Sequence, residues 1–226
     1  PLPLAVLVCV LTGALVGLIS GTLVSRLKIP PFIATLGMMM VTKGLSLVLS
    51  GAKPVYYPDG WNKIALGNII PGIPNAVLIF VAAAILATFL LNKTLLGRYD
   101  FAIGSNEEAT RLSGVNVKKW LTIIYMVAGA FCGVAGMLMS SRLGSAQPAL
   151  GQGYELEAIA AVVIGGTSLS GGSGTILGTV IGAFIMSVLT SGLKIMAVPQ
   201  EWQTVVIGGV VILAVYIDIL RKRKQA

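Results

Sequence analysis

The 226-residue chain is 56% hydrophobic and only 11% charged, against roughly 25% charge in soluble domains, and its mean hydropathy of +0.92 excludes an ordinary soluble enzyme or binding module. Its formal charge of +8 does not mark a nucleic-acid binder, because Lys and Arg fall between and after apolar runs and gather on no soluble face. The chain has no His and no cluster of Cys or carboxylates, so a metal site is excluded, and Cys9 and Cys132, both inside apolar runs, read as small buried hydrophobes.

The fold class these runs predict is all-α, a polytopic transmembrane bundle of about seven membrane segments, one of them short and broken or re-entrant. Residues 1–226 read as a single transmembrane domain. Pro1 already stands in an apolar run with no basic n-region or cleavage site, so no signal peptide is expected and a piece lacking its true N-terminus is. Residues 4–24 form the first span, with Gly13, Gly17 and Gly21 four apart on one face, the small-residue spacing that lets another helix approach closely. Arg26, Lys28, Pro30 and Pro31 make a turn. Residues 32–49 form the second span, interrupted by Gly37 and Lys43.

Residues 50–75 read as an interfacial loop, with Tyr56, Tyr57 and Trp61 as aromatic-belt anchors. Residues 76–91 are the third span. Residues 97–117 are the longest polar interlude, read as a capped surface helix running from Asn106 or Glu107 to Ser113. Ser105 and Glu108 have capping-box spacing, Glu107 and Glu108 suit the positive end of the helix dipole, and Gly114 is placed for a left-handed stop. Glu107 is expected to pair with Arg111 four residues on, with Ala109 and Leu112 as a small apolar flank. So short a helix needs support, from the neighbouring spans and a docked partner.

Residues 121–140 are the fourth span, with Gly129 and Gly133 as another close-packing pair. Residues 155–164 start a run too short to cross unaided, ending in the Gly-rich 165–174. That stretch lacks the Gly-Lys-Ser/Thr ending and preceding strand of a phosphate-binding loop, and reads as a helix break with close packing, continued by Gly174, Gly178 and Gly182. Residues 176–191 and 204–220 complete the set, followed by the basic run Arg221, Lys222, Arg223 and Lys224.

Orientation follows from counting. With the C-terminus cytoplasmic, the inner side collects Arg26, Lys28, Lys93, Arg98, Arg111, Lys118, Lys119 and the tail, and the outer loops hold only Lys53, Lys63, Arg142 and Lys194. That asymmetry puts Pro1 outside and 97–117 in the cytoplasm.

The pattern Gly97-Arg98, three residues, Ala102-Ile103-Gly104, then Asn106-Glu107-Glu108-Ala109 and Arg111-Leu112-Ser113-Gly114-Val115-Asn116 resembles the cytoplasmic coupling region of permease subunits from ribose-type monosaccharide ABC importers. The runs Ser145-Ala146-Gln147-Pro148, 153–167 and Gly171-Gly172-Ser173-Gly174-Thr175 resemble the same family in the same order, so the likeness covers nearly the whole chain. It implies a bacterial permease of the cytoplasmic (inner) membrane, surrounded by lipid and working as a pair, a homodimer, with ABC ATPase subunits and an extracytoplasmic sugar-binding protein. It implies no cofactor in this chain, ATP and Mg being held by the ATPases. It also implies that Ala102, Gly104, Asn106, Glu107, Ala109, Arg111, Gly114 and Asn116 belong to the ATPase dock, and that several helices precede this chain.

For the solute, polar groups in apolar helices are the candidates: Thr35, Thr42, Ser46, Gln147, Thr167 and Ser168, set against the plain alternative that Ser and Thr bond their own helix. Lys43 either joins a pathway or pairing site or snorkels to the interface. Glu155 and Glu157, at the mouth of the short segment, either seal helix N-terminal donors or meet the docked binding protein. The rival to an ATP-driven importer is an ion-coupled secondary transporter, which needs ionisable groups at the bilayer midplane; apart from Lys43 the spans lack them. An intramembrane enzyme would need a nucleophile and base that the spans do not offer.

Overall fold

Helices and a single two-stranded ribbon make up the computed structural model, which describes residues 2–57 and 60–223. Pro1 and Lys224, the first residue and the last basic residue of the orientation count, lie outside the described residues. In chain order the elements are α1 (Leu2–Ser25), α2 (Pro31–Ser50), β1 (Val55–Tyr56), α3 (Lys63–Leu66), α4 (Asn75–Lys93), α5 (Leu95–Ser105), α6 (Glu107–Leu112), α7 (Val117–Leu143), β2 (Ser145–Ala146), α8 (Tyr154–Ile164), α9 (Ile176–Ile195) and α10 (Gln200–Arg223). Among the described residues five helices, α1, α2, α4, α7 and α9, are long and apolar enough to cross a membrane. Beyond these five, α10 contributes a shorter apolar stretch, Gln200–Tyr216, and α8 has only 11 residues. The expected all-α bundle is present; the expected number of crossings is not fixed by these lengths.

Two glycine stripes meet to form the spine of the bundle. α1 and α7 run antiparallel, with Gly13 and Gly17 of α1 against Gly129 and Gly133 of α7, and Gly21 against Thr122 and Tyr125. A Cβ on Gly21 would come within 2.9 Å of the Thr122 Cα, and one on Gly133 within 2.6 Å of the Cys9 carbonyl oxygen. Backbones this close leave no space for a side chain, and dispersion over the facing surfaces replaces the hydrophobic drive that lipid does not supply. Ser25 and Thr122 add a hydroxyl pair at 2.8 Å at one end of the spine. Of the two cysteines, Cys9 is half-buried beside this contact and Cys132 is exposed on α7, a correction to the buried reading of both; each is a free thiol.

A second group gathers α8, α9 and α10 around Ala160, Ala161 and Met186, with Ile207, Val210 and Val211 of α10 packed on them. Here too small residues set the distance. Gly182 lies on Ala161 and Gly178 on Gly165, so α8 and α9 run antiparallel. The expected close packing of 174–182 is present, and α4 meets the same group where Phe80 packs edge-on against Phe184, ring centroids 6.4 Å apart.

The segment 50–75 is more ordered than a loop. Gly51 ends α2 in the left-handed region at φ 59°, β1 pairs antiparallel with β2, and α3 packs on α7. The buried Ser141 hydroxyl ties this segment down, accepting from the Ala65 N–H at 2.9 Å and donating to the Trp61 carbonyl at 2.7 Å. Trp61 is 5% exposed, stacks on Tyr57 and donates from Nε1 to the Ser140 Oγ at 3.3 Å. This corrects the belt-anchor assignment for Trp61; Tyr56, 79% exposed, remains free to serve as one. Outward faces are lined with exposed Leu, Ile, Val and Phe, among them Leu11, Leu15, Val48, Ile85 and Val188, as lipid contact requires.

Gly21→Val, which drives a branched side chain into the α7 backbone, is expected to destabilise the protein by about 1–3 kcal/mol. In thermal unfolding of detergent-solubilised protein this appears as a lower midpoint, whereas Gly136→Ala, with open space around it, leaves the midpoint unchanged or raised.

Candidate functional site

Two polar regions stand at opposite ends of the bundle. The first is built by α5 and α6 between the spans α4 and α7. α5 is an element that the sequence reading missed, having treated 97–105 as an interlude. The apolar spacing of Leu95, Tyr99, Ala102 and Ile103 carried the signal, obscured by Gly97, Arg98 and Asp100. Tyr99 lies against Trp120 of α7, ring centroids 4.7 Å apart, and Ile103 is buried, so α5 is anchored.

α6 then projects from that anchor. Asn106 takes an extended conformation at φ −155° and its Oδ1 accepts from the Ala109 N–H at 2.9 Å. Asn106 is therefore the N-cap, and the expected capping box from Ser105 to Glu108 is not formed, because Ser105 still belongs to α5. Thr110, on the buried side, donates its hydroxyl to the Asn106 carbonyl at 2.8 Å. Gly114 stops the chain in the left-handed region at φ 85° as expected, and Asn116 caps α7 by accepting from the Lys119 N–H at 3.1 Å. The ion pair also differs from expectation: Arg111 meets Glu108 at 3.5 Å, not Glu107, and both side chains are exposed, so it contributes little.

The eight residues predicted for a dock separate into groups. Ala102, Asn106 and Ala109 line a shallow groove of about 440 Å³ with Arg98 and Val115. Glu107, Arg111 and Asn116 line a second cavity, of about 620 Å³, with Lys28, Pro31 and Lys118. Gly114 shapes the turn. Gly104 is the exception: a Cβ there would come within 2.7 Å of the Gly172 backbone nitrogen. It sits against the Gly171-Gly172 turn, both residues in the left-handed region at φ 84° and 79°, and joins the two helix groups across the end of the bundle that carries α6.

Asp100 of α5 is half-buried, and burial raises its carboxyl above the usual carboxylate range.

The second region lies toward the ribbon end. After β2 the chain passes through 147–153 and starts α8, with Glu155 Oε2 accepting from the Gly153 N–H at 3.0 Å, the donor-sealing role foreseen for it. The pairing of Ala161 with Gly182 and Gly165 with Gly178 sets Glu155 roughly opposite Val188, so α8 begins about 10 Å short of the end of α9 at 1.5 Å per residue. Glu155 stands exposed in the first turn of α8, at the start of the short segment as expected, and set back from the end of α9. Lys43 of α2 donates from Nζ to Gln152 Oε1 at 3.2 Å. Thr42, Lys43, Gln152 and Glu155 line one cavity of about 250 Å³.

The other candidates lie elsewhere. Thr35 bonds the carbonyls of Pro31 and Phe32 and Ser46 is exposed on α2. Gln147 reaches the Ser145 hydroxyl at 3.5 Å. Thr167 and Ser168 belong to the Gly-rich turn beside Gly174 and Ser173. Glu157 is half-buried on α8. Gln152 was missed because one amide in a Gly-rich loop carries no pattern. Among the described residues no group of three or more His, Cys, Asp or Glu could hold a metal ion.

Long apolar helices, with a polar helix pair set between two of them and a half-length helix, define a multi-pass membrane protein. Residues 1–215 match the family described as the permease component of the branched-chain amino acid transport system, and the chain belongs to that family. It is 42% identical over 219 residues, 95% of this chain and 68% of the relative, to the ribose import permease protein of Escherichia coli (strain K12). To the galactose/methyl galactoside import permease protein of Haemophilus influenzae it is 39% identical over 232 residues, 100% of this chain and 69% of the relative. To the ribose import permease protein of Bacillus subtilis it is 44% identical over 202 residues, 88% of this chain and 62% of the relative. No solved structure matches the chain.

Two outcomes follow from the α5 geometry. Gly104→Ala must push the 171–172 backbone away, and it is expected to cost about 1–3 kcal/mol, read as a lower unfolding midpoint in detergent. For Asp100, the folded chain holds the proton more tightly than the unfolded chain, so its ionisation costs stability above the raised pKa; that cost fades as pH falls through the raised value and is gone below the ordinary one. Asp100→Asn is therefore expected to unfold at a higher temperature than wild type at pH 7, and the gap should close by about pH 4.

Proposed function

We propose that this chain is the permease subunit of an ATP-driven importer that carries a monosaccharide delivered by an extracytoplasmic binding protein. It works as one of a pair of permease subunits, and separate ATPase subunits hold ATP and Mg and perform the hydrolysis. The sugar assignment is supported by the names of the relatives, which are ribose and galactose/methyl galactoside import permeases.

The observation that carries the coupling assignment is α6. It is a six-residue helix, capped by Asn106 at one end and stopped by Gly114 at the other. It exposes Glu107, Ala109, Arg111 and an 80% exposed Leu112, and α5 braces it against α7. An apolar tip flanked by charge, on a helix too short to stand alone, suits a groove on a partner. A push on α6 passes as rigid-body movement through α5 to α7 and, at Gly104, to the turn between α8 and α9.

With α6 cytoplasmic, the Arg and Lys asymmetry is satisfied, the C-terminus is cytoplasmic, and the ribbon end with 50–75 faces the binding protein. The membrane part then comprises the five long helices, α10 and the half-length α8, about seven segments in all. The ribbon end is the face we assign to the binding protein, with exposed Glu155 nearer to it than the half-buried Glu157.

The test uses full-length protein assembled with its ATPase and binding protein in proteoliposomes. Leu112→Asp, and separately Glu107→Ala with Arg111→Ala, are expected to lower sugar-stimulated ATP hydrolysis about tenfold without loss of insertion or of the unfolding midpoint. Unchanged stimulation in both would remove α6 as the dock, and solute uptake independent of ATP would replace the importer with an ion-coupled carrier.

A further inference from the structure

The cavity at the start of α8 is built of unlike parts, a cation, an amide, a hydroxyl and a carboxylate that also accepts from the Gly153 N–H. Lys43 is a cation set well inside an apolar helix, seven residues before the end of α2 at Ser50, about 10 Å by helical rise. Glu155 is recessed by a similar distance from the end of α9. The two charges share one cavity, yet no ion pair forms between them, and Lys43 instead donates to the amide of Gln152 at 3.2 Å. Membrane helices keep such residues where they have work to do, since an ionisable group in a span is costly.

We propose that Thr42, Lys43, Gln152 and Glu155 form a solute station for a neutral, hydroxyl-rich ring: a monosaccharide passing from the binding protein toward the inner side. The proposal rests on the sugar-import assignment and extends it to particular side chains. Three features select this ligand class. The charges balance, so neither an anion nor a cation is favoured. The polar inventory is mixed, with three donors on Lys43, a donor and an acceptor on Gln152, and acceptor oxygens on Glu155 and Thr42, which suits hydroxyls that donate and accept at once. Met39, Pro148, Ala149 and Leu150 supply apolar wall for the C–H faces of a sugar ring.

Size agrees as well, because about 250 Å³ lies below the 300–1,000 Å³ typical of sites for drug-sized ligands and fits one small ring. The Lys43–Gln152 bond is exchangeable: an incoming hydroxyl can replace either partner, so neither group is left bare when the station empties. Binding that is weak in this way lets the solute leave as readily as it arrives. α8 places the station under mechanical control, since its other end runs into the Gly-rich turn that rests on Gly104.

The experiment measures radiolabelled ribose and galactose uptake, and ATP hydrolysed, by the whole importer in proteoliposomes. Wild type must first show ATP-dependent uptake of one of these sugars; if it does not, the sugar-import assignment fails before the station is tested. Given that uptake, Lys43→Met and Gln152→Leu are expected to lower sugar moved per ATP hydrolysed about tenfold, the worth of one or two lost hydrogen bonds. Glu155→Gln should change the ratio of ribose to galactose uptake, and Lys43→Arg should recover most of the transport. Unaltered sugar per ATP in folded Lys43→Met and Gln152→Leu would overturn the station. So would a loss of uptake and hydrolysis in equal proportion that Lys43→Arg does not rescue, which would mark these residues as structural.

Discussion

In lipid, one apolar surface gains almost nothing by leaving tails for another apolar surface, so helices associate only where backbones come close enough for dispersion to accumulate over many atoms. This chain meets that requirement with glycine. The α1 stripe meets the α7 pair, Gly182 rests on Ala161, and Gly104 rests on Gly171 and Gly172. The first contact makes the spine, the second fixes α8 to α9, and the third joins the two groups. α2 has no such stripe in contact, Gly37 and Gly44 both facing open space, and it touches the bundle sparingly.

How legible this was in the sequence depends on whether the cause was periodic. The Gly13, Gly17, Gly21 and Gly129, Gly133 stripes are visible as spacings, and so was their function as contact faces; that they would contact each other was not, since partner choice is a property of three dimensions. Spans were placed to within a few residues because hydropathy integrates over a whole helix. The start of α6 at Glu107 falls where expected, but its N-cap moved by one residue, from Ser105 to Asn106, because both are good caps and only the end of α5 decides between them. The pairing of Arg111 likewise went to Glu108 where Glu107 was expected, since neighbours three and four apart on a helix are nearly equivalent. Trp61 deceived for another reason: an aromatic in a polar segment looks interfacial until a long-range Ser140 gives its N–H a partner.

The candidate sites follow the same division. The α6 region was legible as a local pattern of cap, charge and stop. The cavity at α8 was not, because it joins Lys43 with a loop amide 109 residues further along the chain, and no local rule connects them. Lys43 could be singled out as a charge in a span; its partner could not. α8 starts at the cavity lined by Lys43, Gln152 and Glu155 and runs at its other end into the Gly-rich turn beside Gly104.

The Ser141 hydroxyl has a consequence for how the chain is made. Trp61 and Ala65 leave the ribosome long before Ser141 does, being 80 and 76 residues ahead of it, and synthesis runs from the N-terminus. Until α7 has been delivered, the Ala65 N–H lacks its Ser141 partner and the Trp61 carbonyl keeps only the local bond from the Ile64 N–H at 3.1 Å. The segment 50–75 therefore acquires its shape late, as a by-product of inserting a helix that comes two spans after it, and a nascent chain arrested before residue 141 would carry that segment open to proteases.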